Sequence, residues 1–440
     1  LLRILKMGRA EISVADEAFE AGNVSYPKGT FIIFASQPYR NHVKDLLEPQ
    51  DYPDRYVYPG GPAEPPYDVA GWTLSYQMGV NVITASRPFD VESHVVDTIS
   101  VEKKIPPGEG TVFLSKNQTT NDFILMNRCF REGIPVFVLQ YPFSIEGEEY
   151  PRGTLFFQAS NARESRTIRT WVEDLSLDIV RKPAIPNGIS LKDMQRPRLA
   201  LYQPWAPSMD EGWTRFVLEQ FEFDYATLHN AEIRSGNLYN RYDAIILPDV
   251  GTNTLLNGME ESTTAPRYVG GIGEEGVANL QEFVQQGGRL LCLDSSTSFA
   301  IRYFNLPVEN ALSGLKRDDF FCAGSILRIQ LDTKHPVAYG MPTRAAAYFA
   351  RSYAFDTVKE STDETDIGPA ISKPRIIARH DDTITLLSGW IQGEKHLRGK
   401  AALLSVGYGD GNVVLYGFRV QHRAQPHGTF RLLFNGLIMD

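Results

Sequence analysis

Acidic and hydroxyl side chains follow the apolar, strand-like segments in the second half of the chain. Asp249 ends "YDAIILPD", Asp294 and Ser295 follow "RLLCL", and Asp210 comes after "RLALY". Where strands alternate with helices the sheet is mostly parallel, and ligands bind beyond the carboxyl ends of its strands. We therefore predict that these residues share one sheet edge, where a carboxylate pair would bind a cation or a polar ligand, or would simply be solvated.

Ser295 and His422 are the candidate catalytic residues of a hydrolase. Ser295 follows a strand and precedes a helix, as a nucleophile would, and His422 lies in the polar loop "QHRAQPH". The sequence "DSSTS" has no glycine to relieve the strain of such a turn, so a helix N-cap is the favoured interpretation of Ser295. A stand-alone hydrolase of ester, amide or glycosidic bonds, using Ser295 and His422 or two of the carboxylates, is the alternative function.

Aromatic and basic side chains near the same edge complete the predicted ligand site. The predicted ligand-binding residues are Trp205, Asp210, Trp213, Arg215, Asp249 and Asp294. Trp213 also fits a core position, because it shares a helical face with Phe216 and Phe221. Asp210 and Glu211 equally fit the start of that helix, where acidic side chains are favoured.

Familiar metal and nucleotide motifs give no support for a cofactor in this chain. None of the eight histidines starts an HExxH motif, so we predict no metal site. "GIGEEG" at residues 271–276 follows a loop instead of a strand, and its glutamates would repel a pyrophosphate, so it predicts a helix start. Cys129, Cys292 and Cys322 lie in apolar segments and are predicted to be buried free thiols.

Two stretches of the first half are nearly the same, "YPKGTFIIFAS" at residues 26–36 and "YPRGTLFFQAS" at residues 150–160. Around the second copy the pattern predicts strand, helix, strand, structural turn and strand. The first copy lacks the opening strand and the helix start, so we expect Leu1 not to be a natural domain start. "GWTLSYQMGVNVITA" at residues 71–85 repeats the helix–strand step and predicts a further α/β layer.

The pattern divides an α/β chain into three parts. Residues 1–181 form a duplicated α/β region truncated at its start, residues 182–197 are a proline-containing linker, and residues 198–440 form a doubly wound, mostly parallel sheet. Residues 250–270 are either a lid over the sheet edge or an insertion without catalytic duty. If "PYDVAGWTLSYQMGV" is exposed, it would be the subunit interface of a homo-oligomer.

Composition excludes several classes of function. The 440 residues include 44 basic and 53 acidic side chains, a net charge of −9, which argues against a nucleic-acid partner. No apolar run reaches the roughly 18 residues that a membrane span needs. The sequence also begins without a signal peptide.

The second half resembles class I glutamine amidotransferase-like domains in its strand order, in "GGRLLCLDSS" and in "VVLYGFRVQHRAQPHGTFRLLFNGL". That family carries a cysteine nucleophile at the turn after a strand and a His-x-Glu pair after the last strand. Here Asp294 or Ser295 stands at the turn, and Ala424 stands where the glutamate would follow His422. The resemblance therefore implies a degenerate domain without amidotransferase activity.

The chain as a whole resembles the region that follows the catalytic domain in large bacterial zinc carboxypeptidase-like proteins of the metallocarboxypeptidase family. The resemblance rests on "YPKGTFIIFASQPYR", "PYDVAGWTLSYQMGV", "PWAPSMDEGWTRFVLEQ", "CAGSILRI", "HPVAYGMP" and "GFRVQHRAQPHGTFRLLFN". It implies a non-catalytic accessory region, for scaffolding or substrate binding, of a periplasmic or secreted protein. Its partners would be an upstream peptidase domain, which would hold the zinc, and a peptide or small polar ligand.

Overall fold

A computed structural model describes residues 1–61, 63–100, 105–358 and 370–438. Over these residues the chain is a mixed α/β protein with a 12-stranded mixed sheet, a five-stranded sheet, a three-stranded sheet and two small hairpins. The predicted α/β class is confirmed at this level. No helix in the described part of the chain is long and apolar enough to cross a membrane.

The first half carries short elements. Its helices are α1 (Leu2–Met7), α2 (Arg40–Leu47), α3 (Leu74–Met78), α4 (Asn121–Arg131) and α5 (Ala162–Leu175). Its strands are β1 (Ser13–Ala15), β2 (Phe19–Ala21), β3 (Val24–Tyr26), β4 (Phe31–Ile32), β5 (Ser93–Val95), β6 (Val112–Ser115), β7 (Val136–Leu139), β8 (Phe143–Ile145), β9 (Glu148–Tyr150), β10 (Leu155–Gln158), β11 (Ile179–Lys182) and β12 (Leu191–Met194).

The sequence repeat corresponds to a repeated structure. In each copy a strand leads into a small hairpin, β2–β3 or β8–β9, and the chain then returns antiparallel to the first strand as β4 or β10. Gly29 and Gly153 have φ of +85° and +83°, which glycine adopts without strain. The hydroxyls of Thr30 and Thr154 each donate to a proline carbonyl at 2.7 Å. The predicted structural turn is thus confirmed, and the small hairpin before it is an addition.

Two predictions for the first half are wrong. Residues 182–197 are not simply a linker, because β12 lies within them and pairs with β7 at the edge of the five-stranded sheet. The third echo forms only its helix, α3, which ends at Gly79 with φ +64°. Residues 80–85 form no strand, so no further α/β layer is built. Instead, α3 lies against α11 at the end of the chain and against the large sheet.

The second half contains the large sheet. Its helices are α6 (Met209–Gln220), α7 (Asn230–Arg234), α8 (Thr252–Asn257), α9 (Gly273–Gln285), α10 (Ser296–Tyr303) and α11 (His427–Ile438). Its strands are β13 (Leu199–Tyr202), β14 (Tyr225–Leu228), β15 (Ala244–Leu247), β16 (Arg289–Leu293), β17 (Val308–Asn310), β18 (Ser325–Leu331), β19 (Arg344–Phe349), β20 (Phe355–Thr357), β21 (Arg375–His380), β22 (Leu386–Ser388), β23 (Ala401–Tyr408) and β24 (Gly411–Tyr416).

The large sheet is half parallel and half antiparallel. Along its main path the order is β14-β13-β15-β16-β24-β23-β21-β18-β19, and the first five strands run parallel. From β24 onward the neighbours are antiparallel, so "mostly parallel" is wrong for the whole sheet. The antiparallel half curls back, because the Arg419 amide after β24 donates to the Tyr348 carbonyl of β19 at 3.0 Å.

Helices cover both faces of the parallel half, as in a doubly wound sheet. β16 is fully buried, with Leu291 and Leu293 facing one apolar core and Leu290 and Cys292 facing the other. The first core also takes in α4, α6, α11 and one face of the five-stranded sheet. The two halves of the chain therefore share one continuous core. All three cysteines are buried free thiols, as predicted.

Other predictions for the second half have mixed outcomes. "GIGEEG" opens α9 at Gly273, which confirms the predicted helix start. Residues 250–270 contain α8 and a short 3-10 turn, and the Ile272 amide after them donates to Leu255 at 2.9 Å. The predicted core face of α6 is wrong in part. Val217 and Phe221 are buried, but Phe216 is 42% exposed.

Candidate functional site

The carboxyl edge of the parallel strands opens into a cleft of about 520 Å³. Its walls come from the segments that follow β13, β15 and β24, from the start of α6 and from the end of β19. Asp68 and Val69 complete part of the rim. They are held there because the Ala70 and Gly71 amides both donate to the Gly324 carbonyl, at 2.8 and 3.0 Å.

Asp249 links three segments beneath the cleft. Its Oδ2 atom accepts from the Arg419 guanidinium at 2.7 Å, and its Oδ1 atom accepts from the Ser295 amide at 3.2 Å. Its own amide donates to Asp210 Oδ2 at 2.9 Å. The side chain is 17% exposed and lines the cleft, so one face of this carboxylate network is open to a ligand.

Asp294 occupies the sharp turn between β16 and α10. Its φ is +50°, a conformation that non-glycine residues adopt at a cost and that is concentrated at functional sites. The Ser352 hydroxyl donates to its Oδ2 atom, and Arg419 Nε lies 3.6 Å from the same oxygen. Its Oδ1 atom is buried without a hydrogen bond. Burial raises the pKa of Asp294 to about 8, against the pull of Arg419, so this carboxyl is largely protonated at neutral pH.

Arg419 is the cation that joins these acids. Its position is fixed by its amide bond to β19 and by a bond from Nε to the Ala350 carbonyl at 3.3 Å. Burial alone would lower its pKa, but the carboxylates of Asp294, Asp249 and Asp210 raise it. Its charge is therefore permanent, and it is largely neutralised by the acids around it.

Asp210 ties the start of α6 to the loop after β24. Its Oδ1 atom accepts from Gln421 Nε2 at 2.8 Å, and the same amide nitrogen reaches the Thr214 hydroxyl at 2.9 Å. Burial raises the pKa of Asp210. Ser208 caps α6 through the Glu211 amide, so Asp210 is left to point towards the neighbouring strand ends.

His422 lies flat against Tyr348 on the cleft wall. The two ring centroids are 4.1 Å apart with planes inclined by 17°. Burial, together with Arg419 and Arg423, lowers the pKa of His422 to about 4, so the ring is neutral at physiological pH. The Tyr348 hydroxyl is buried and has no hydrogen-bond partner in the described chain.

Ser295 and His422 are not joined. Among the described residues no hydrogen bond links them, and the Ser295 side chain makes none to the backbone of α10 although it occupies the N-cap position. The neighbouring Ser296 hydroxyl donates to the Leu247 carbonyl at 3.0 Å and is fully buried. The arrangement lacks the contact through which a histidine would activate a serine.

The other predicted ligand residues separate into two groups. Trp213 lines the cleft, packed edge-on against Phe216 with centroids 5.7 Å apart. Trp205 lies outside the cleft lining, stacked on His229 at 4.0 Å. Arg215 is also outside it, bound to Glu211 one turn earlier on α6.

No metal ligand set is present within the described ranges. No group of three or more His, Cys, Asp and Glu side chains there is arranged to hold a metal ion. The three acids of the edge are engaged by Arg419, by backbone amides and by Ser352 and Gln421. They are thus organised around a guanidinium.

Several site residues were missed by sequence reasoning. Arg419 carried a usable signal, because it follows a buried strand in the same way as Asp249 and Asp294 do. Tyr348 and Ser352 come from an antiparallel strand and its turn, which the expectation of a parallel sheet gave no reason to inspect. Asp68 gave no signal either, because it reaches the rim from the other half of the chain.

Comparisons with known proteins give only distant likenesses. No protein-family model and no curated protein matches the chain. A solved cytoplasmic protein of Salmonella typhimurium is similar at 16% identity over 55% of this chain and 97% of its own, with a TM-score of 0.33. A ThuA-like protein of Bacteroides uniformis (9% identity, 58% and 94% coverage, TM-score 0.31) is another. A GMP synthase component from Thermoplasma acidophilum (11%, 55% and 94%, 0.31) is a third. Likenesses this distant support no conclusion about activity.

Proposed function

We propose that this chain binds a small polar ligand in the cleft at the carboxyl edge of the large sheet, without Ser–His chemistry of its own. The supporting observation is a set of unpaired polar atoms at the cleft. The Tyr348 hydroxyl, Asp294 Oδ1 and Gln421 Oε1 are buried without a hydrogen bond in the described chain. An unpaired buried polar group costs about 1–3 kcal/mol, which a ligand that bonds to it would recover.

The geometry of the wall also favours a polar ligand. Asp249 and Arg419 are held by bonds to each other and to the backbone, so a ligand would meet fixed acceptors and donors. Trp213 offers an apolar ring beside them. A few fixed polar groups around a partly apolar hollow are the usual features of a small-molecule site.

A blocking substitution tests this proposal directly. Gly251 lines the cleft with φ −64° and ψ 146°, and an added Cβ atom there meets open space, so Gly251→Trp is expected to fold and to fill the cleft. Gly212 on α6 also has open space around it but lies outside the cleft lining, so Gly212→Trp is the matched control.

The readout is the thermal shift of each protein with a panel of neutral, acidic and basic monosaccharides and dipeptides. We expect at least one compound to raise the melting temperature of the wild type and of Gly212→Trp but not of Gly251→Trp. A panel without any shift, or a shift that survives in Gly251→Trp, would remove the cleft as the binding site.

We further propose, from the sequence resemblance alone, that the cleft serves a zinc carboxypeptidase-like protein as an accessory region exported to the periplasm or the medium. The intact mass of the polypeptide in its source organism tests this. A product several hundred residues longer than this chain, with a peptidase domain before it, is expected. A mature product that matches these 440 residues alone would contradict the accessory role.

One observation favours the alternative of a hydrolase. Asp249 is ion-paired with Arg419, whereas burial raises the pKa of Asp294 to about 8, and a pair of carboxyls in such different states can divide acid and base roles. Asp294, however, is only 2% exposed. Turnover of chromogenic esters, amides and glycosides that is lost in both Asp249→Asn and Asp294→Asn would establish this function.

A further inference from the structure

Two arginines on the cleft rim have no acidic partner. Arg351 and Arg423 both line the cleft and are exposed, and neither guanidinium has a hydrogen bond or ion pair among the described residues. Arg419, in contrast, is matched by Asp249 and Asp294. The rim therefore carries positive charge that the protein itself does not neutralise.

Both arginines are held in a backbone conformation that non-glycine residues seldom adopt. Their φ angles are +54° at Arg351 and +48° at Arg423. The Arg351 amide donates to the Cys322 carbonyl at 3.0 Å, and the turn around Arg423 is closed by the Ala424 amide donating to Gln421 at 2.8 Å. Such strain persists where the surrounding structure enforces it, and here it places two guanidinium groups at one cleft.

A neutral donor lies between these charges. Tyr348 is 3% exposed and its hydroxyl has no hydrogen-bond partner in the described chain. The residue lines the same cleft, and its ring is stacked on His422, the residue before Arg423. A hydroxyl at this place can donate to an oxygen that the guanidinium groups also contact.

From these three observations we infer that the ligand of the cleft carries an anionic group, a carboxylate or a phosphate, held by Arg351, Arg423 and the Tyr348 hydroxyl. This inference rests on the proposed function and deepens it. Arginine is suited to such groups because its planar fork of donors matches two oxygens at once.

The remaining wall indicates the rest of the ligand. Asp68 is a carboxylate on the rim, engaged only by its neighbour's amide at 2.7 Å, and it can accept from a hydroxyl. Trp213 adds a flat apolar surface. One fixed acceptor, an aromatic face and two free guanidinium groups fit a small hydroxylated anion such as a sugar acid or a sugar phosphate.

Calorimetric titration of the full chain with D-glucuronate, D-glucose 6-phosphate and neutral D-glucose tests this inference. We expect at least one anion to bind at least tenfold more tightly than glucose, and the stronger of the two to identify a carboxylate or a phosphate. The variants are Arg351→Asn and Arg423→Asn, because asparagine tolerates positive φ. Each is expected to weaken the anion at least tenfold.

Arg9→Asn is the matched control, because Arg9 is exposed, has φ +63° and lies outside the cleft lining. Glucose binding as tightly as the anions, with no change in the rim variants, would overturn the inference and leave a neutral-ligand cleft standing. Failure of all three compounds at 20 mM would also overturn it. The Gly251→Trp panel then decides separately whether the cleft binds any ligand.

Discussion

At the scale of single residues, the cleft depends on acids whose environments differ. Asp249 shares its charge with Arg419 at the cleft wall, whereas Asp294 lies behind it, bonded to Ser352 in a turn with φ +50°. The sequence predicted that both acids would follow strands, because each comes directly after an apolar run. It did not predict the burial of Asp294, which depends on the antiparallel half of the sheet curling over it.

The burial of Asp294 should make stability depend on pH. Its pKa in the folded state, about 8, lies far above the value of 3.8 expected in the unfolded chain. The folded state is therefore favoured while the carboxyl is protonated, fully so below about pH 4, and this contribution is lost as pH rises towards 8. The loss is at most about 1.4 kcal/mol per pH unit.

Asp294→Asn removes this titration while keeping an acceptor for Ser352. In urea unfolding between pH 5 and 8, we expect the free energy of unfolding of the variant to gain on that of the wild type as pH rises. The exposed Asp410, in the turn between β23 and β24, provides the control Asp410→Asn, for which the difference should stay constant. A constant difference for Asp294→Asn would show that the carboxyl ionises normally.

At the scale of elements, the repeated turn shows what sequence reasoning can and cannot give. Proline, glycine and threonine at fixed spacing identified the turn in both copies, because each residue has a local role in it. The spacing did not reveal the different surroundings of the two turns. Gly153 packs against Tyr339 of the large sheet region, whereas Gly29 faces open space.

This difference gives a matched pair of substitutions. Gly29 and Gly153 have nearly equal φ angles, so alanine should cost about 1–2 kcal/mol at either site through backbone strain alone. A Cβ atom on Gly153 would lie 2.5 Å from Tyr339 Cβ, which should add about 1–3 kcal/mol. We expect Gly153→Ala to lower the free energy of unfolding more than Gly29→Ala, as measured in urea. Equal losses would mean that the turns are equivalent and that Tyr339 moves freely.

At the scale of the whole molecule, the predicted division into two domains and a linker conceals a shared core. Phe434 of α11 contacts Phe123 of the five-stranded unit with ring centroids 5.1 Å apart, and also Phe221 and Phe223 of the large sheet region. Hydrophobic periodicity marks each of these residues as buried. It does not tell which other element buries it, so contacts between the halves were beyond sequence reasoning.

Because of this shared core, one substitution should loosen both halves. Phe434→Ala is expected to cost about 3–5 kcal/mol and to speed hydrogen exchange in β10 as well as in β16. Ile384→Ala, at a side chain that is 54% exposed, is the control and should change exchange in neither strand. Faster exchange in β16 alone would show that the five-stranded unit is stable by itself.

The central claim is that the cleft of the large sheet binds a small polar ligand, and ligand-observed magnetic resonance tests it most directly. Saturation transfer from the full chain to a mixture of neutral, acidic and basic sugars and dipeptides would be compared between the wild type and Gly251→Trp. We expect transfer to one class of compound in the wild type and its loss in the variant. Equal transfer in both proteins, or none in either, would contradict the claim.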